Sequence, residues 1–221
     1  MQKAKRVSLS KWCRGAESDC PRLRFQRSAL PLSYLGGIKK VMSKIARKIA
    51  VVNTIIRPVF KGKLLKVFVK KERLPNGYLA TFEMIKHPGA SLVIPFLTKN
   101  KIIMLRQLRP VVNSYIYELP AGTLDENESP LSCARREIVE ETGFSARKFT
   151  HLGKIYPVPG YSTEKISIFK AEGLKRQSRI VEKDEVIESR VFTRTMIKKL
   201  FKAGRIIDAK TISALAFCGW L

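Results

Sequence analysis

The spacing of apolar residues changes along the chain. Over IKKVMSKIARKIAVVNTII, residues Ile38, Met42, Ile45, Ile49 and Val52 recur at intervals of four and three, which predicts one apolar stripe on a helix over 38–52. Lys39, Lys40, Lys44, Arg47 and Lys48 occupy much of the remaining surface. From residue 64 strand-like segments take over. LLKVFVK and YLATFEMI, on either side of Pro75-Asn76-Gly77, predict a hairpin, and SLVIPFL and KIIMLRQL predict a second pair. YIYEL reads as a short strand, and HLGKIYPV, KISIFKA and VIESRVF read as further ones. Two helices close the pattern, TRTMIKKLFKAG and AKTISALAFCGWL, the latter capped by Asp208. Strands surrounding one strongly marked helix predict an α+β sandwich with mixed sheets.

That marked helix lies in GTLDENESPLSCARREIVEETGF, residues 122 to 144. Ser129 supplies a capping hydroxyl, Pro130 fits the first helical position, and Gly143 suits the left-handed stop. At 100° per residue Leu131, Ala134 and Ile138 form the apolar edge. Glu137 and Glu141 stand one turn apart beside that edge, with Glu140 on their flank. Like charges so spaced repel, and of the nearby bases only Arg136 is placed to steady them. A hard divalent cation answers the remaining need, because Mg²⁺ and Mn²⁺ take oxygen ligands and share carboxylates with substrate phosphates.

Charge sharpens the contrast. The 221 residues carry a formal +25, yet six of the eighteen acids fall within 122 to 144. The first 63 residues hold sixteen Lys and Arg against Glu17 and Asp19, a net +14, and no acid occurs between Asp19 and Glu72. This divides the chain into a basic extension, 1–59, and a main domain, 60–221. The extension suits contact with nucleic acid or an anionic membrane surface, a transit sequence, or a helix packed on the main domain. Synthesis beginning at Met42 is a further reading. No apolar run is long enough to cross a bilayer as a helix. Cys13, Cys20, Cys133 and Cys218 are scattered without a CxxC pair, which argues against zinc and for a reducing, cytoplasmic setting, or an organellar one if the extension is a transit peptide. Cys133 reads as a small buried thiol.

Gly122, Glu128, Arg136, Glu137, Ile138, Glu140, Glu141, Gly143 and Phe144 occupy every fixed place of G-x5-E-x7-R-E-U-x-E-E-x-G-U, where U is aliphatic or aromatic. The chain thus resembles the Nudix hydrolases. That resemblance implies a β-α-β sandwich with a loop-helix-loop metal site, and hydrolysis of a nucleoside diphosphate linked to another moiety. It implies Mg²⁺, or Mn²⁺, held by Glu137, Glu140, Glu141 and the backbone oxygen of Ala121.

LRQLRPVVNSYIYELPAG, YPVPGYSTE and IIDAKT further resemble the ADP-ribose pyrophosphatase (ADP-sugar diphosphatase) branch, with Pro159 fifteen residues beyond Phe144 as its proline marker. The branch implies a nucleotide-sugar substrate cut to AMP and a sugar phosphate, with GDP-mannose or another nucleotide sugar as the alternative, and a homodimer whose second subunit helps to build the site. Arg109 matches its substrate arginine, a fork suited to phosphate oxygens. Glu118, Pro159 and Glu164 are further substrate-side candidates. Glu185 matches the loop glutamate that serves as general base, with Glu182 and Glu188 as rivals. Tyr78, Phe82 and Tyr161 are the candidates for stacking the base. From another class, the basic arm suggests an RNA-associated Nudix protein, although the intact glutamates argue against a scaffold without catalysis.

Overall fold

The computed structural model describes residues 54–62, 65–178 and 186–221. The predicted helix over 38–52 and nearly all of the basic extension lie outside them. Among the described residues, two sheets and three α-helices are present. None of these helices is long and apolar enough to cross a membrane.

The first sheet is antiparallel, in the order β1 (Ile55–Lys61), β2 (Lys66–Arg73), β3 (Leu79–Ile85). β2 and β3 are the predicted hairpin, closed where Gly77 takes a positive φ of 85° and donates to Leu74. β1 is an addition to the expectation. Every residue of IIRPVFK is exposed, so no alternation marks it, and Pro58 coincides with an irregularity in the ladder.

The second sheet is mixed. Its main path runs β10 (Ile187–Thr193), β5 (Lys101–Arg109), β4 (Ala90–Thr98), β9 (Ile166–Arg176), β8 (Phe144–Ile155), with β4 and β9 parallel. β4 and β5 pair only near their connecting turn, at Phe96↔Ile102 and Thr98↔Lys101. Beyond that they part, and the intervening wedge is filled by β6 (Ser114–Glu118), which pairs with β5, and β7 (Ala121–Thr123), which pairs with β4. The Val93 amide, which donates to the Pro120 carbonyl at 2.8 Å, ties the bend between β6 and β7 to β4. β8 begins at Phe144, seven residues ahead of the expected HLGKIYPV segment, because its first half is amphipathic without clean alternation.

Both faces of the central strands are covered, which is why Ala90 to Phe96 are buried without a break. On one face Leu92, Ile94, Ile102, Met104 and Ile168 pack with Ile197 of α2 (Arg194–Lys202) and Ala214 and Leu215 of α3 (Ala209–Phe217). On the other, Val93, Phe169 and Ala171 receive Ala134 and Ile138 of α1 (Pro130–Thr142). Local signals set the ends of α1 as expected: Ser129 Oγ accepts from the Ser132 amide, Pro130 opens the helix, and Gly143 closes it at φ 72°. Asp208 caps α3 by accepting from the Thr211 amide.

α3 also anchors the wedge. The fully buried Thr211 hydroxyl accepts the Leu119 amide at 2.9 Å, across 92 residues of sequence. Replacing Thr211 by the near-isosteric valine should leave that buried N–H without an acceptor and cost about 1–3 kcal/mol of stability. Chemical denaturation checks this; an unchanged midpoint would show that the bond contributes nothing.

Candidate active site

Helix α1 lays its acidic edge against β7, and the fit requires glycine. A Cβ built on Gly122 would lie 1.6 Å from Oε1 of Glu137, so the carboxylate occupies the space that any side chain at 122 would need. Glu141, one turn on, accepts the Ala121 amide on Oε2 at 2.9 Å. Glu137 and Glu141 are nearly buried, at 7% and 4% exposure, a position that charged groups hold only with partners. Underneath, Ser91 Oγ donates to the Pro130 carbonyl at 2.6 Å, and the Cys133 thiol lies 3.4 Å from the Gly122 carbonyl oxygen. Burial pushes the Cys133 thiol up to about 11, so it packs as the inert group expected of it.

Arg136 is the hub of this edge. Its Nη1 donates to Glu137 Oε1 at 2.6 Å and Glu140 Oε2 at 3.1 Å. Its Nε and Nη2 reach Glu128 at 3.1 and 3.0 Å, and Nη2 also donates to the Thr123 carbonyl at 3.2 Å. The bonds from Arg136 hold the Glu128 carboxyl below the usual carboxylate range, and Glu128 in turn raises the guanidinium further above its own. One guanidinium therefore hydrogen-bonds three carboxylates and a carbonyl, with Asp125 Oδ2 a further 3.8 Å from its Nε, closing the segment between β7 and α1. The spacing of Glu128 marked it as part of the motif; its bonds to Arg136 give it a task.

The donor set of Glu137, Glu140, Glu141 and the Ala121 carbonyl is all oxygen, a chemistry that fits a hard divalent cation. Among the described residues no three His, Cys, Asp or Glu side chains are drawn together around one point. The glutamates are instead arranged about Arg136 and the β7 backbone.

A cavity of about 350 Å³ opens beside β7. Its walls include the β7 backbone, Arg109, Glu164, Pro157 and the first turn of α3. Arg109 does reach it, but its fork is engaged: Nε and Nη2 donate to Oε1 and Oε2 of Glu118, both at 2.7 Å. Glu118, 1% exposed, also accepts Lys210 Nζ on Oε2 at 2.5 Å, and Lys210 reaches Asp208 Oδ1 at 2.9 Å. Burial pushes the Glu118 carboxyl up, yet the bonds from Arg109 and Lys210 outweigh it and hold the group below the ordinary range. Glu118 is thus the anchor of two cations rather than a group facing the cavity.

The remaining candidates divide. Glu164 lines the cavity, whereas Pro159 is exposed in the turn that Tyr161 and Ser162 close on the Val158 carbonyl, and Pro157 takes the place at the wall. This loop is held by the end of β3 and the residues after it, through bonds of Ile85 to Tyr161 and Thr163 and of the His87 amide to Thr163 Oγ1. Glu188 bonds Arg190 and lies 3.9 Å from Arg106 on edge strand β10, away from the cavity wall. Glu185 and Glu182 fall outside the described residues. Tyr78, Phe82 and Tyr161 are all exposed and none lines the cavity. Lys210 is the residue that sequence reasoning did not single out; the IIDAKT segment containing it was the available signal.

A family model described as "NUDIX domain" matches residues 86–215. The chain is 37% identical over 161 residues to the ADP-ribose pyrophosphatase of Bacillus subtilis (strain 168), covering 72% of this chain and 87% of that protein. It is 34% identical over 161 residues to the methanol dehydrogenase activator of Bacillus methanolicus, with the same two coverages of 72% and 87%. The fold is similar to a crystal structure of an ADP compounds hydrolase, at a TM-score of 0.66 and 24% identity over 75% of this chain and 91% of that one.

The contact between Gly122 and Glu137 is open to test. Gly122→Ala should displace the Glu137 carboxylate and lower turnover by on the order of a hundredfold, a loss typical of a displaced charge-stabilising group. Thermal unfolding would establish that the variant still folds; wild-type turnover in the folded variant would mean that this close approach is not required.

Proposed function

This chain belongs to the Nudix family of hydrolases, and from that premise we propose that it cleaves the diphosphate bridge of ADP-ribose or a related nucleoside diphosphate sugar, releasing AMP and a sugar phosphate. The observation that carries this reading is the junction of two features on β7. The acidic edge of α1 rests on Ala121 and Gly122, and the same two residues form a wall of the cavity that Arg109 lines. A diphosphate in the cavity would lie between carboxylates that suit a hard cation and a guanidinium that suits phosphate oxygens.

The similarity to the Bacillus subtilis ADP-ribose pyrophosphatase supports the choice of substrate. Glu137, Glu140, Glu141 and the Ala121 carbonyl would hold Mg²⁺, with Mn²⁺ as substitute, which when bound neutralises diphosphate charge and lowers the pKa of coordinated water. Arg136 keeps Glu137 and Glu140 in place and pins the Thr123 carbonyl, so the acidic edge does not spring apart through its own repulsion. Arg109, with its plane fixed by Glu118, offers its remaining N–H groups to phosphate oxygens. Glu185 is the base assigned to the attacking water. Its carboxylate takes a water proton as the oxygen bonds to one phosphorus, and the bridging P–O bond breaks, its electron pair leaving on the departing phosphate.

A homodimer is the assembly that fits the first sheet. Ile55, Ile56, Val59, Phe60, Leu79 and Phe82 expose 40–60% of their surface on β1 and β3, an apolar display that a second copy would cover. Size-exclusion chromatography with light scattering should give twice the 25.1 kDa chain mass, and a clean single-chain species would refute this.

Purified enzyme should hydrolyse ADP-ribose faster than GDP-mannose and other nucleotide sugars, and lose activity on chelation until Mg²⁺ or Mn²⁺ is restored. Glu141→Gln should reduce turnover on the order of a hundredfold or more while leaving the substrate ranking unchanged. Full activity in that variant, or in the presence of chelator, would overturn the assignment.

A further inference from the structure

We infer that Lys210, although it borders the cavity, is a positioning residue for the substrate arginine, acting through the buried Glu118 carboxylate to which its ammonium is bonded. The inference rests on the proposed reaction and extends it to the C-terminal helix.

The geometry forms a chain of contacts. Arg109 commits one edge of its guanidinium to Glu118 through two bonds of 2.7 Å, which fixes the plane of the fork only as well as the carboxylate is itself fixed. Glu118 ends β6, beside the bend at Leu119 and Pro120, and its own orientation needs a second tie. Lys210 supplies it at 2.5 Å, on Oε2, the same oxygen that Arg109 Nη2 uses. Lys210 is held in turn by Asp208 at 2.9 Å, and Asp208 is fixed because its other oxygen caps α3 at the Thr211 amide, 3.0 Å away. The rigid helix end therefore bears on the arginine through Asp208, Lys210 and Glu118.

An independent contact locks the same register. Thr211, adjacent to Lys210, accepts the amide of Leu119, adjacent to Glu118. Two consecutive residues of α3 thus hold two consecutive residues of the wedge, one through a charge pair and one through a side-chain hydroxyl that accepts a backbone amide. The charge balance agrees with this division of labour. A carboxylate that is 1% exposed and bonded to one cation would hold that cation tightly yet could still turn with it; a second cation, from a different element and bonded to the same Oε2, restrains that freedom.

The test is a double-mutant cycle on the full-length enzyme with ADP-ribose. Lys210→Met should raise KM about tenfold with kcat within about twofold of wild type, a coupling in the usual range for members of one hydrogen-bonded network. Lys210→Arg, which keeps a cation at the site, should recover most of the affinity and guards against a methionine variant that does not fold. In an Arg109→Ala background, Lys210→Met should change KM by less than about twofold, because the group it positions is gone. A wild-type KM in folded Lys210→Met refutes the inference. So does a full tenfold effect in the Arg109→Ala background, which would make Lys210 a direct substrate contact. If wild-type enzyme turns over no nucleoside diphosphate sugar, the proposed reaction fails before any variant is compared.

Discussion

The parting of β4 and β5 is the constraint on which the site depends. Two strands that begin as a paired hairpin and then diverge leave a wedge of unpaired backbone, and buried backbone groups must find partners. The chain meets that demand by sending β6 along β5 and β7 along β4, with Leu119 and Pro120 at the bend. This places Glu118 and Ala121 three residues apart yet on different ladders, one turned toward Arg109 and α3, the other toward the acidic edge of α1. The cavity forms where these two surroundings meet.

Two charged hubs then stiffen the arrangement, and they are opposites. Arg136 is one cation hydrogen-bonded to three carboxylates; Glu118 is one carboxylate serving two cations. Each is polydentate, so each fixes direction as well as distance. Neither is best regarded as a source of net stability, since a buried ion pair recovers little more than the desolvation it costs. Their value is geometric. Gly122 completes the first hub, because only a residue without a side chain lets the Glu137 carboxylate settle against β7.

What the sequence disclosed followed local rules. Ser129, Pro130 and Gly143 delimit α1 through interactions within a few residues, and Asp208 caps α3 in the same way. The motif around Glu137 was legible because its members share one helix and one turn. β1 was not, since an exposed strand carries no alternation and the proline within it argues for a loop. β8 was found late because its opening residues lack a clean period. The surroundings of Arg109 were harder for a different reason. Arg109 and Glu118 could be picked out one by one, but their pairing is a property of the β5–β6 ladder, and Lys210 reaches Glu118 across 92 residues. No periodicity reports such a contact.

The origin of the wedge's grip late in the sequence bears on how the enzyme matures during synthesis. Ribosomes deliver the acidic helix, complete with both caps, well before they deliver α3. At roughly 5–20 residues per second, a nascent chain passes through an interval of several seconds in which its acidic edge is finished but Glu118 still awaits Lys210 and Leu119 still awaits Thr211. A product truncated by premature termination in that interval would carry the whole signature motif yet lack the residues that hold Glu118 and Leu119, so presence of the motif in a fragment is no guide to whether its wedge is held in place.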